Sequence, residues 1–312
     1  MFDRYDPRDD DRQYRDRGRD LDRGGRGSGQ TSDRRERDPR DVFTRDLDLP
    51  RGRERERTRD RDRVYDIDGS ESRMLATVGS FRVVAERDLA ALRDDARKPH
   101  QSIRHLEDES LIRRSPLDAN DRAVVLTERG RDLLEANRSL PRDERTHEPR
   151  QEFYAGLRKP RELTHDVKVY RAYERSEERI RDCGGRVQRV VLDYEMKRDY
   201  QRFLHERNRG RKDCDGRPDR EADEIVHWAK EHDLPYEEDG HVHFPDARIE
   251  YEDRDGRSRF EDLEIVTPHY RGAHAAGAAK SGFTCYVSMG SGVGGRGGGR
   301  GGRSPRIMEE FL

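Results

Sequence analysis

The sequence predicts two mixed domains, an α+β domain followed by an α/β domain, between two disordered tails. Three observations carry that prediction. Hydrophobic residues make up 30% of the 312-residue chain and charged residues 43%, so part of it lacks the apolar surface that offsets chain entropy. Residues 70–138 alternate helical periodicity with short β-rich runs. Residues 164–287 do the same around a strong hairpin signal.

The N-terminal tail is expected over residues 1–63, where 20 Arg stand against 15 Asp and 3 Glu. Runs such as "RERERTRDRDR" hold too few hydrophobic side chains for a core. Two uses fit such a polyampholyte, a solubilising tail and a transient contact with DNA, RNA or another charged segment. The chain as a whole has 66 basic and 68 acidic residues. Net charge therefore does not point to nucleic acid, and only its local distribution can. Cys183, Cys214 and Cys285 are an odd number with no CxxC pair, so neither a disulfide framework nor a zinc site is expected. No apolar run reaches the roughly 20 residues of a bilayer span. The N-terminus has no apolar signal region. The expectation is a cytoplasmic protein without a membrane partner.

The first domain is expected over residues 64–140. "SESRMLATVGSF" makes a helix capped by Ser70, with Met74, Leu75 and Val78 on one face. "RVV" makes a short strand, and "AERDLAALRDD" a second helix. "KPHQSIRHLEDESLI" makes a third, with Ile103, Leu106 and Leu111 inward. "LIRRSPLDANDRAVVL" is strand, turn, strand. "TERGRDLLEANR" closes the domain as a helix capped by Thr127.

This order, with the ending "LTERGRDLL", resembles the winged helix-turn-helix of bacterial MarR- and PadR-like regulators. The resemblance implies that the third helix enters the major groove of double-stranded DNA. Its outward residues would be Lys98, His100, Gln101, Arg104 and His105. Arg and Gln can pair bidentately with guanine and adenine edges. Arg113, Arg114 and Arg122 flank the wing, where phosphates would lie. The acids Glu107, Asp108 and Glu109 close the helix and count against DNA, and a protein–protein module is the other reading. Regulators of this kind are often homodimers, although no heptad-like helix here declares an interface.

A charged connector, residues 141–163, leads to the second domain. "THDVKVYRAYERSEERIRDCGG" is an amphipathic helix with Val167, Tyr170, Tyr173 and Ile180 inward and Gly184 at its end. "RVQRVVLD" is a strand, "YEMKRDYQRFLHERN" a helix capped by Asp193, and "READEIVHWAKEHDL" another. "HVHFPDARIEYE" and "SRFEDLEIVT" pair across "DRDG". A helix around "GAHAAGAAKSG" and the strand "FTCYVS" follow. Residues 288–312 form a flexible tail with "RGGGRGGR". It resembles RGG segments that bind RNA or single-stranded DNA, a weak and salt-dependent contact with three arginines. A plain flexible terminus is the alternative.

The αβββαβ order, with Pro245-Asp246 on one strand and Glu264 on the next, resembles the restriction-endonuclease-like core of PD-(D/E)XK nucleases. That resemblance implies a divalent cation, Mg²⁺ or Mn²⁺, on Asp246 and Glu264, able to activate water and offset charge on phosphate. The family's lysine should stand at position 266, which here holds Val266. Lys280 is the nearest substitute, with His269 and Arg271 behind it. Glu195 and Lys197 in "DYEMK" are placed on a helix, Lys197 in solvent. His241 and His243 alternate along a strand as ordinary surface histidines.

A winged helix followed by a nuclease-like region resembles the bacterial replication-relaxation family of mobile elements and plasmids. "LTERGRDLL", "THDVKVYRAY" and "FPDARIEYE…FEDLEIVTPHY" carry that likeness over residues 70–287. It implies DNA binding as the main role. A metal-dependent DNA endonuclease and a non-catalytic protein scaffold are the alternatives.

Overall fold

The computed structural model of the chain describes residues 39–92, 99–139, 150–157, 163–209, 218–266, 282–287 and 307–308. Several expectations fall outside them: Lys98, His269, Arg271, Lys280 and, up to residue 281, the helix around "GAHAAGAAKSG". Cys214 and the three tail arginines do so too. Among the described residues no helix is long and apolar enough to cross a membrane.

Folded structure begins earlier than the composition suggests. A 3-10 turn at Pro39–Thr44 is followed by a two-stranded antiparallel ribbon, β1 (Glu56–Arg59) and β2 (Val64–Ile67). Thr58, Tyr65 and Ile67 are buried on its inner face, and Phe43, Leu47 and Leu49 join the core. The disordered tail expected to residue 63 therefore does not include residues 39–63. Few hydrophobic side chains suffice because each lands on a core that others build.

Helix α1 (Gly69–Phe81) is buried along its whole length. Its cap is Asp68, not Ser70. The Asp68 carboxylate accepts the Glu71 N–H at 2.9 Å, and Glu71 returns a bond to the Asp68 N–H at 3.1 Å. That reciprocal capping box places the cap two residues before the serine. Strand β3 (Val83–Ala85) and a 3-10 turn (Asp88–Leu92) follow, the latter where a helix was expected. Then come α2 (Pro99–Asp108), β4 (Ile112–Pro116), β5 (Arg122–Leu126) and α3 (Glu128–Ala136). The three strands form an antiparallel sheet of order β3-β5-β4. Thr127 caps α3 as expected, accepting the Gly130 N–H at 3.1 Å.

The second region begins with α4 (Leu163–Asp182), whose Val167, Tyr170, Tyr173 and Ile180 are buried. Gly184 ends it at φ +80°, a conformation glycine adopts without a Cβ clash. After β6 (Arg186–Leu192) come α5 (Asp193–His205) and α6 (Ala222–Glu231). Strands β7 (Ala247–Glu252) and β8 (Ser258–Val266) pair across the predicted turn, with Gly256 at φ +76°. Strand β9 (Thr284–Val287) lies parallel to β8, and β10 (Ile307–Met308) parallel to β9. The sheet order is β10-β9-β8-β7-β6. The C-terminal segment thus supplies a short edge strand where only tail was expected.

One face of this sheet, with Val190, Ile249, Leu263, Ile265 and Tyr286, packs on α4 and continues into the core of the first region. Phe43, Phe81, Tyr170 and Tyr173 meet there with ring centroids 4.8–6.2 Å apart. The other face carries Val191 and is covered by α5 and α6 through Met196, Trp228 and Ala229. On the side away from α1, the three-stranded sheet is closed by Val167 of α4 with Leu157 and Leu163. The overall class is mixed α and β, six helices and three small sheets among the described residues.

Candidate functional site

Two groups of side chains bear on function. The first lies at one end of the five-stranded sheet. The pairings Leu192↔Ala247, Ala247↔Leu263 and Glu264↔Cys285 bring the end of β6, the start of β7, the later part of β8 and the start of β9 together. Asp246 sits at that junction and is fixed on three sides. Its N–H donates to Leu263 O at 2.9 Å, and its carbonyl accepts the Asp193 N–H at 3.1 Å. Its Oδ2 accepts the Ile265 N–H at 2.7 Å. This holds the Asp246 carboxylate against the β8 backbone, next to Glu264.

Glu264 is almost fully buried, and its carboxyl is pushed up to about 8 by burial and then by the negative charge of Asp246. His165 and Lys197 pull it the other way. His165, in the first turn of α4, places Nε2 3.3 Å from Asp246 Oδ2 and Nδ1 3.5 Å from Asp166 Oδ1. Burial opposes its charge, but hydrogen bonds to Asp166 and Asp246 prevail and raise it to about 10. Asp193 is raised by burial, and Lys197 donates to it at 2.7 Å. Arg82, reaching over from the end of α1, lies 4.0 Å from Asp166 and stacks 4.1 Å from the Tyr194 ring. The cluster therefore carries carboxylates and cations from both regions of the chain.

Asp246 and Glu264 are thus adjacent. Val266, on the same strand face as Glu264, packs with Phe283 and Cys285 instead of carrying charge. Lys197 is drawn into the cluster rather than left in solvent alone, although its side chain is 53% exposed. Asp193 is the first residue of α5, after the cap position Leu192. Glu195 points elsewhere, pairing with Arg189 under the Tyr154 hydroxyl. His241 and His243 precede β7 and lie on irregular backbone, not on a strand. His243 contacts Glu237 at 3.1 Å.

Asp246 and Glu264 could supply two carboxylates to a divalent cation, a share that suits Mg²⁺ with water and phosphate completing its shell. Among the described residues no group of three or more His, Cys, Asp or Glu is arranged to hold a metal. Oδ2 of Asp246 is already engaged by Ile265 and His165. Sequence reasoning missed His165 and Asp166 and left Lys197 in solvent, because a His-Asp pair and an Asp-x3-Lys pair at helix starts look like ordinary helix chemistry.

The second group is the outer face of α2. Gln101 and Arg104 are exposed and line an open groove of about 540 Å³ with Arg55, Asp68, Ser102, His105 and Asp108. Arg113 and Arg122 are exposed on β4 and β5. Three other expected contacts are used internally. Arg114 donates to Glu107 at 2.9 Å and lies 3.4 Å from Glu86, so it braces α2 against β4 and is not presented to phosphate. His105 Nδ1 lies 3.0 Å from the buried Glu71, with Arg55 3.1 Å from its Nε2. His100 is exposed but lies 3.0 Å from Glu86. Asp121 ties the β4–β5 turn down, meeting Arg87, just before the 3-10 turn, at 3.1 Å and Arg171 of α4 at 3.8 Å. Acids flanking an outward arginine set the internal pairings, and sequence spacing alone does not show which acid faces which base.

Compared with known proteins, the chain matches no family model, no curated protein and no solved structure.

Proposed function

We propose that this chain is a DNA-binding protein of the transcription-regulator or mobile-element replication type, with α2 contacting duplex DNA. The order α1, β3, 3-10 turn, α2, β4, β5, α3 with sheet order β3-β5-β4 supports a winged helix-turn-helix reading. The observation that carries the proposal is the outward face of α2, where Gln101 and Arg104 stand exposed on an open groove. The face of the three-stranded sheet away from α1 is taken up by α4, which leaves α2 as the presented element. Binding of the full chain to random-sequence duplexes, compared with Arg104→Ala, tests it. The likeness to replication-relaxation proteins belongs to this proposal and rests on sequence motifs and on this arrangement.

A second reading is favoured by the adjacency of Asp246 and Glu264 with Lys197 nearby. The β6–β9 arrangement, two antiparallel pairings and one parallel, supports a nuclease-like core. In that reading a Mg²⁺ or Mn²⁺ ion held by the two carboxylates would activate water at a phosphodiester. Asp246 and Glu264 would be its ligands, and Lys197 would offset phosphate charge. The expected outcome is nicking of supercoiled plasmid that needs Mn²⁺ and disappears in Asp246→Ala. Equal nicking by wild type and Asp246→Ala would assign the activity to a contaminant.

A further inference from the structure

Lys197, the cation assigned to the carboxylate site, is loosely held. Its side chain is 53% exposed and leans on Asp193, four residues earlier on the same helix. His165 is held differently. Its Nε2 lies 3.3 Å from Asp246 Oδ2 and its Nδ1 3.5 Å from Asp166 Oδ1. Both ring nitrogens therefore face carboxylate oxygens, an arrangement that suits only the doubly protonated ring, with a donor at each end. The residue stands in the first turn of α4. The N-terminal end of a helix carries partial positive charge and disfavours a cation there. The two aspartates hold the imidazolium against that field.

Asp166 is itself anchored, by Arg82 at the end of α1. The Arg82 side chain is only 6% exposed, and its buried Nη1 lies 4.0 Å from Asp166 Oδ2 without a hydrogen bond among the described residues. Its backbone stands at φ +65°, where an arginine is strained. A strained, buried arginine with an unused N–H is costly to keep. What it delivers is a fixed positive group behind Asp166, seated on the Tyr194 ring at 4.1 Å. The series Arg82, Asp166, His165, Asp246 thus runs from the first region to the start of β7. At its far end the His165 side chain is 32% exposed, so the ring can be reached from solvent where Arg82 cannot. Asp246 Oδ2 is shared by His165 and the Ile265 N–H, and among the described residues Oδ1 enters no hydrogen bond or ion pair.

We propose that His165 is the phosphate-contacting residue of this site, donating its Nε2–H to a non-bridging oxygen of a phosphodiester, with Asp166 and Arg82 as the positioning residues that hold its ring. The inference rests on the nuclease-like reading of Asp246 and Glu264. The ligand class follows from the groups side by side. Two carboxylates suit a divalent cation, and a fixed imidazolium beside one of them suits an oxyanion; a phosphodiester held on a cation presents both to the same site. An oxygen arriving beside Asp246 meets the N–H that now faces Oδ2. His165 keeps both its protons and forms no covalent bond. It offsets the charge that grows on the phosphate oxygens as water attacks, and a donor fixed beforehand does so without reorganising.

The test uses the full chain, supercoiled plasmid and Mn²⁺. His165→Ala should lower kcat for nicking roughly 100-fold or more. Its Mn²⁺ binding, read from the free-ion signal in electron paramagnetic resonance, should be no weaker than wild type. His165→Gln, which keeps an N–H near the Nε2 position, should retain more of the rate. Asp166→Asn should lower kcat roughly 10- to 100-fold in the wild-type background and add nothing to His165→Ala, a non-additivity that a purely structural role does not produce. Wild-type kcat in His165→Ala, or equal rates in the Ala and Gln variants, would overturn the donor role. Mn²⁺ binding that weakens in step with nicking would make His165 part of the cation site and overturn it too. Additive losses from Asp166→Asn and His165→Ala would overturn the positioning role. In each of these cases the nuclease-like reading stands, whereas wild type without Mn²⁺-dependent nicking that Asp246→Ala abolishes would remove both.

Discussion

Glu264 shows how position decides chemistry at the scale of one residue. In solution its carboxyl would be charged at neutral pH. Here burial and the neighbouring Asp246 push it up to about 8. The folded chain therefore keeps a proton that the unfolded chain has lost between about pH 4.5 and pH 8. Stability from this group is full below the unfolded value and falls as pH rises through the folded one. His165, raised to about 10, adds a loss of the same sign at higher pH, from its unfolded value near 6.5 upward. Glu264→Gln should flatten the pH dependence of unfolding between about 4.5 and 8 and stabilise the protein at pH 9 by on the order of 2 kcal/mol. Urea unfolding at several pH values reads both. A variant as pH-sensitive as wild type would mean the carboxyl is charged and solvated.

At the scale of elements, much was legible where the signal is local. The Thr127 cap, the "DRDG" turn and the inward face of α4 each depend on a few residues in sequence, and each is where periodicity and turn chemistry place it. The ribbon was not legible, because its two inward hydrophobic residues are scattered in an Arg-rich run and acquire a core only from distant segments. The true cap of α1 had a signal, Asp68 with Glu71 three residues on, that outranks Ser70 once the glutamate is counted. The site was half legible. Asp246 and Glu264 stood out by motif, whereas His165 and Lys197 joined them only through the pairing of β6 with β7 and the start of α4. The turn from β5 into α3 gives the element-scale prediction. A Cβ on Gly130 would lie 2.2 Å from the Leu111 carbonyl oxygen, so Gly130→Ala must push α3 off β4. A loss of roughly 1–3 kcal/mol in urea unfolding is expected, against the small gain that Gly→Ala gives in an open helix.

At the scale of the whole molecule, the two regions share a core, and the elements left on the outside define what the protein can do. Phe81, Tyr170 and Tyr173 join α1 to α4, and Arg82 carries the first region into the carboxylate cluster of the second. With the three-stranded sheet closed by α4, the outer face of α2 and its groove remain the presented surface. DNA binding through that face is the central claim. Its most direct measurement is the anisotropy of a labelled random-sequence duplex titrated with full-length wild type and Arg104→Ala at low salt. Salt-sensitive wild-type binding is expected, weakened roughly 5- to 160-fold in Arg104→Ala by loss of about 1–3 kcal/mol. Equal binding by the two proteins, or none by either, would contradict it.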